Sequence, residues 1–143
     1  MNERHLITED IALGTRLPSM SMKYSTDMFK LGDVKTLHND YEAARLEGLP
    51  RPVAVAPQVA ALIFRMMSAC FGAGWIVGGK GSLTFRRPVW SDDFATSHGV
   101  VVGKSVEDEH VRILCEVWIE RSDGERAVVG NCSALCEAGG PAK

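Results

Sequence analysis

The chain has 143 residues, of which 45% are hydrophobic and 24% charged, a balance that suits one globular domain with its own core. Sixteen lysines and arginines against 18 aspartates and glutamates give a net charge of −2 and no basic stripe, so nucleic-acid binding is not expected. No apolar stretch reaches the roughly 18 residues of a membrane span, and the N-terminus has no signal-peptide pattern. These features predict a cytoplasmic protein with no membrane partner.

The cysteines form no CxxC motif and no Cys/His cluster; they are Cys70, Cys115, Cys132 and Cys136. In a cytoplasmic chain this spacing is typical of buried free thiols. A metal site is therefore not predicted.

The first strand signal is the alternation of apolar and polar residues over 20–25. Before it, Ile11 and Leu13 indicate a short strand or sheet edge. Both features place β-structure ahead of the first helical segment.

A short helix through Met28, Phe29 and Leu31 is predicted next. Thr26 or Asp27 is the expected N-cap, because such side chains accept hydrogen bonds from free N–H groups. Gly32 then ends the helix and releases the following residues into a loop.

Two further helices follow this loop. The first covers 40–48, with Asp40 as its cap and Gly48 at its end. The second is the longest of the chain and has Pro57 in its first turn. Its apolar face is formed by Val59, Leu62, Ile63, Met66, Met67 and Cys70. Gly72 and Gly74 are expected to stop it.

From Trp75 onward the pattern indicates β-structure. Strands are predicted around Leu83 and Phe85 and over 95–104, 111–120 and 126–135, and Asp123-Gly124 is a hairpin signal between the last two. One long helix followed by an antiparallel meander predicts an α+β domain whose sheet wraps around the helix.

The chemistry is expected at Asp33 and His38, which lie five residues apart after Gly32. A carboxylate and an imidazole at that separation can converge, hold a water molecule and exchange protons with a substrate. The pair alone does not distinguish a site from two surface side chains, so the flanking sequence decides.

Three sequence blocks contain or follow this pair. They are Asp33 to Asp40 with Ala43-Ala44 after it, Arg51 to Pro57, and Leu83-x-Phe85-x-x-Pro88-Val89-x-x-x-Asp93. In order and separation they resemble the MaoC-like dehydratases, whose best-known members are the (R)-specific enoyl-CoA hydratases. The resemblance covers about residues 8–137 and implies a single hotdog domain over 1–143, an antiparallel sheet around a long central α-helix.

The resemblance implies a hydro-lyase that adds water to a 2-enoyl thioester, or removes it from a 3-hydroxyacyl thioester, on coenzyme A or a carrier protein. Asp33 and His38 would hold the water between them. The backbone N–H of Ala56 would donate to the enolate oxygen at the start of the long helix. No metal or redox cofactor is implied. The candidates for substrate binding are Lys35, Val55, Arg86 and Arg87.

The sequence departs from the family pattern at two places. Lys35 and Thr36 stand where the family has Asn and Pro, and Val55 and Ala56 stand where it has His and Gly. These departures favour one alternative, a non-catalytic or partner-dependent hotdog subunit that binds an acyl thioester. A thioesterase on the same fold, with Asp33 as its base, is another. Hotdog domains commonly pair, so a homodimer, a higher homo-oligomer or a heteromer with a second hotdog chain is expected.

Overall fold

Five antiparallel strands form one sheet in the computed structural model, which describes residues 6–136. They are β1 (Met20–Tyr24), β2 (Lys80–Phe85), β3 (Asp93–Glu107), β4 (His110–Arg121) and β5 (Arg126–Cys136). Their order is β1-β3-β4-β5-β2, so β3, β4 and β5 form a meander and the two short strands are its edges. All the main strands predicted from the sequence are confirmed, and β3 is longer than predicted.

Three α-helices lie between β1 and β2: α1 (Tyr41–Leu46), α2 (Ala56–Phe71) and α3 (Ala73–Gly78). The 16-residue helix α2 lies against β1, β3, β4 and β5. Its six predicted core side chains, Val59 to Cys70, are at most 5% exposed. Burying each such side chain contributes about 1.5–3 kcal/mol, so this contact stabilises the fold. The predicted α+β architecture, with a sheet around one long helix, is confirmed.

The end of α2 differs from the prediction. Gly72 does end the helix, with a φ of +56°, but Gly74 and Trp75 belong to α3, and β-structure begins only at Lys80. A Cβ at Gly74 would lie 1.7 Å from the carbonyl oxygen of Leu135. Glycine at this position therefore permits close approach of α3 to β5 and does not stop a helix.

The N-terminal part also differs from the prediction. Ile11 and Leu13 form no strand, because the backbone pairs with β3 only from Gly14 onward, through Gly14 N–H to Val101 O at 2.7 Å. The helix predicted near Phe29 is a single 3₁₀ turn, Thr26–Phe29, preceded by Ser25 without a side-chain cap. The prediction of Asp40 as a cap is confirmed: its carboxylate accepts from the Ala43 N–H at 2.9 Å.

None of the helices within residues 6–136 combines the length and apolar character needed to cross a bilayer. Residue 137, the predicted end of the core, lies outside the described residues, as do residues 1–5 and 138–143.

Candidate active site

His38 is held by the backbone of Val53, which precedes α2. Its Nδ1 lies 2.7 Å from the Val53 carbonyl oxygen, and the Val53 N–H donates to the Leu37 carbonyl at 3.1 Å. A carbonyl oxygen can only accept, so Nδ1 must carry the proton of this hydrogen bond. In the neutral ring, Nε2 then keeps its lone pair and can accept a proton from water.

Asp33 lies in a tight turn of the same loop, residues 31–39, which we call the dyad loop. The turn closes through Val34 N–H to Leu31 O at 3.0 Å, and Gly32 takes a φ of +58°. The Asp33 carboxylate is exposed and makes no hydrogen bond within the described residues. Leu31 and Val34, which flank it, are 62% and 60% exposed. The structure thus places Asp33 and His38 on one loop without joining them directly.

Asn39 is a residue of this loop that the sequence reasoning missed. Its side-chain oxygen accepts from the Thr36 N–H at 2.9 Å, and its amide nitrogen donates to Phe29 O and Val34 O at 3.0 and 3.2 Å. Its position directly after His38 was the only sequence signal for it.

Ala56 begins α2, as predicted. The N–H groups of Gln58 and Val59 both bond to Val55 O, at 3.0 and 3.1 Å, and Pro57 has no N–H. Ala56 is an exposed residue at the positive end of the helix dipole, and its N–H has no acceptor among the described residues. This N–H is therefore available to an oxyanion.

A cleft of about 270 Å³ lies beside the start of α2. It brings together Ala56, Arg86 and Arg87 with the apolar side chains of Val53, Val59 and Phe85. Arg87 also lies 3.6 Å from Glu125, but both side chains are more than half exposed, so this pair is weak. The two arginines predicted to bind substrate do share one cavity with Ala56.

The other candidates lie outside this cleft. Lys35 is exposed on the dyad loop, and Val55 is partly buried against the core. Asp33 and His38 do not line the cleft either, but His38 is bonded to Val53, which does. The dyad loop and the cleft therefore meet at Val53.

Backbone hydrogen bonds connect the second and third sequence blocks at this point. Ala54 N–H donates to Val89 O at 2.8 Å, and Ser91 N–H donates to Pro52 O at 2.9 Å. The Ser91 hydroxyl, which is fully buried, donates to the same Pro52 oxygen at 3.1 Å. Ser91 was missed by the sequence reasoning, although it lies inside the third block. These contacts fix Val53, and with it His38, relative to the cleft.

The cysteines take no part in this site. All four are free and buried, as predicted. Burial raises the pKa of the Cys115 thiol to about 12 and that of Cys70 and Cys132 to about 11, so none of these three is a ready nucleophile. Within residues 6–136, no group of three or more His, Cys, Asp or Glu side chains is arranged to hold a metal ion.

Comparison with known proteins identifies solved structures that share the fold of this chain. A scan against protein-family models and a search of curated proteins find no match. Among solved structures, a MaoC-like dehydratase from Rhodospirillum rubrum has a TM-score of 0.76 at 20% identity, covering 93% of this chain and 97% of its own. An (R)-hydratase from A. caviae has a TM-score of 0.69 at 18% identity, covering 90% and 99%.

A third similar structure is the ChsH1-ChsH2 complex from Mycobacterium tuberculosis, with a TM-score of 0.67 at 17% identity over 88% of this chain and 98% of that one. The hotdog fold implied by the sequence is confirmed by these three likenesses. At such identities they show the fold alone, and activity has to be argued from the site.

Proposed function

We propose that the protein is a MaoC-like hydro-lyase that interconverts 2-enoyl and 3-hydroxyacyl thioesters. The observation that carries the proposal is the His38–Val53 hydrogen bond, which leaves Nε2 of the neutral imidazole free to act as a base. The fold shared with an (R)-hydratase and a dehydratase supports the same reaction class.

In the hydration direction, Nε2 of His38 takes a proton from a water molecule while the water oxygen bonds to Cβ of the enoyl group. The electron pair of the double bond moves toward the thioester carbonyl, whose oxygen becomes an enolate. The Ala56 N–H donates to that oxygen, where the dipole of α2 also favours negative charge. The proton that His38 has taken then goes to Cα, directly or by way of the Asp33 carboxylate, which completes the addition of water, and dehydration is the reverse.

The acyl carrier is proposed to lie along the cleft beside α2. Arg86 and Arg87 line it and are suited to the phosphates of coenzyme A or of a carrier protein's phosphopantetheine. Lys35, exposed on the dyad loop shortly after Asp33, offers a third cation. Alanine substitution of either arginine is expected to raise KM more than it lowers kcat.

A second hotdog chain is proposed to complete the assembly. Within residues 6–136 the edge strand β2 pairs only with β5, and β2 and the two helices before it carry exposed apolar side chains, with Phe64 40%, Ile76 72%, Val77 84% and Phe85 48% exposed. An unprotected edge beside an apolar surface is typical of a pairing site. We propose a homodimer through this edge. Light scattering on the wild type and on Leu83→Pro, which removes an N–H that faces away from β5, tests this assembly.

A partner-dependent subunit is the second candidate. The observation that favours it is the Asp33 carboxylate, which is exposed, makes no hydrogen bond within residues 6–136 and is flanked by the exposed Leu31 and Val34. A second chain that covers this loop would complete the site. Such a protein would be inert alone and active only with the partner.

The test is to follow the loss of enoyl-thioester absorbance with crotonyl-, octenoyl- and a branched enoyl-CoA. Wild type is expected to turn over at least one of them, and Asp33→Asn and His38→Ala are each expected to lower kcat by about 10²- to 10⁴-fold. Absence of turnover by the folded dimer would contradict the proposal and favour the partner-dependent subunit. Release of free thiol from a saturated acyl-CoA would identify a thioesterase.

A further inference from the structure

The dyad loop depends on one side chain that bonds to three separate points of the backbone. Asn39 accepts from the Thr36 N–H, two residues before His38, at 2.9 Å. It donates to the carbonyl of Val34, directly after Asp33, at 3.2 Å, and to the carbonyl of Phe29 at 3.0 Å. The amide therefore connects the Asp33 turn, the His38 turn and the preceding 3₁₀ turn.

We propose that Asn39 is a positioning residue that sets the separation and orientation of Asp33 and His38. This inference rests on the proposed hydratase function. Asp33 is exposed and no hydrogen bond joins it to His38, whereas the Asn39 side chain is hydrogen-bonded to both halves of the loop. An error of about 1 Å in such a distance can lower a rate by about 100-fold.

The chemistry of these three bonds requires an amide. The two carbonyl oxygens can only accept, and the Thr36 N–H can only donate, so the side chain must offer two donor hydrogens and one acceptor. Asparagine supplies both from one planar group. Aspartate has the same shape but would place a carboxylate oxygen against two carbonyl oxygens.

Thr36 completes the His38 half of the loop. Its hydroxyl accepts from the His38 N–H at 3.1 Å, and its carbonyl accepts from the N–H groups of Asn39 and Asp40 at 3.1 and 3.0 Å. The resemblance places an Asn-Pro pair at Lys35 and Thr36. In this chain the polar group that spans the loop stands instead at Asn39, on the other side of the histidine.

The experiment compares Asn39→Ala and Asn39→Asp with Asp40→Ala in the full-length protein. The Asp40 side chain caps α1 through Ala43 and makes no hydrogen bond to the dyad loop, so it is a matched control for the loss of a local hydrogen bond. Both Asn39 variants are expected to lower kcat by about 10- to 100-fold with KM changed little. Asp40→Ala is expected to keep kcat near that of the wild type.

A second measurement does not depend on turnover. The ¹⁵N shifts of the His38 ring report which nitrogen carries the proton, and the wild type is expected to show it on Nδ1. In Asn39→Ala the loop is free to move away from Val53, so a mixture of the two ring tautomers is expected. Asp40→Ala should leave the proton on Nδ1.

The outcomes separate the two proposals. A wild type that is active, with Asn39 variants no slower than Asp40→Ala, overturns the positioning role and leaves the hydratase function standing. A wild type inactive with every thioester overturns the function. In that case ring spectra that do not change in Asn39→Ala would also overturn the claim that Asn39 holds the dyad loop.

Discussion

The contact between α2 and the sheet is stabilised by apolar burial, whereas the dyad loop is shaped by hydrogen bonds. Ile63, Met66 and Met67 in the first region are fully buried. No residue of the dyad loop is buried, and its conformation rests on the contacts of Thr36, Asn39 and the Val53 carbonyl with His38.

This difference separates stability from activity. Removing buried apolar area changes the free energy of unfolding, because that area drives folding. Hydrogen bonds of an exposed loop contribute little net stability, since water replaces them in the unfolded chain, but they fix the geometry that the proposed proton transfer needs. Substitutions in the core should therefore lower stability, and substitutions in the loop should lower kcat.

The largest effect on stability is expected for Ile63→Ala in the core. The substitution leaves a cavity under α2, so the free energy of unfolding should fall by about 2–5 kcal/mol in urea denaturation. At temperatures where the variant stays folded, kcat should change little. Arg65→Ala, an exposed position of the same helix, is the control and should change stability by less than about 0.5 kcal/mol. Equal losses for both would contradict the comparison.

A smaller effect on stability is expected for Gly32→Ala in the dyad loop. Gly32 has a φ of +58° and open space around it, so the added methyl group meets no atom but strains the backbone by about 1–2 kcal/mol. Because Asp33 follows directly, relief of that strain should move its carboxylate and lower kcat. Gly48→Ala is the matched control, with a φ of +84° and equally open space, away from the loop. If both variants lower kcat alike, the loop has no special role.

The ion pair between Glu107 and Arg112 predicts that the free energy of unfolding depends modestly on pH. The hydrogen bond from Arg112 holds the pKa of Glu107 below its ordinary value of 4.5. A lowered folded-state pKa contributes stability above pH 4.5 that is lost as the pH falls through the folded-state value. Urea unfolding between pH 3 and pH 7 should therefore show a steeper loss for wild type than for Glu107→Gln. Glu109→Gln, at an exposed neighbour, should behave like wild type.

The smallest effect is expected in the rate at which the buried thiols are chemically labelled. Their burial and raised pKa values leave little thiolate at pH 8, so labelling by a disulfide reagent should proceed only as the core opens. The labelling rate should rise in Ile63→Ala and stay at the wild-type value in Gly32→Ala. Rapid labelling of the native wild type would contradict the burial of these thiols.

Much of the fold could be predicted from the sequence, because its signals are local. Periodic apolar residues indicated α2, alternation indicated β1, and Asp123-Gly124 indicated the last hairpin; all three are confirmed. The prediction failed at Gly74, where glycine serves a contact with Leu135, 61 positions along the chain. The prediction of a strand at Ile11 and Leu13 was also wrong, because the hydrogen bonds that join this segment to β3 begin only at Gly14.

The sequence by itself determined the α+β fold, the spacing of Asp33 and His38 and the helix start at Ala56, because each depends on residues close together in the chain. Only the tertiary structure decided that Val53 fixes the His38 tautomer, that Arg86 and Arg87 share a cleft with Ala56, and that Asn39 spans the dyad loop. Backbone carbonyls carry no sequence signal, and a hydrogen bond to one of them exists only once folding has placed its donor within reach.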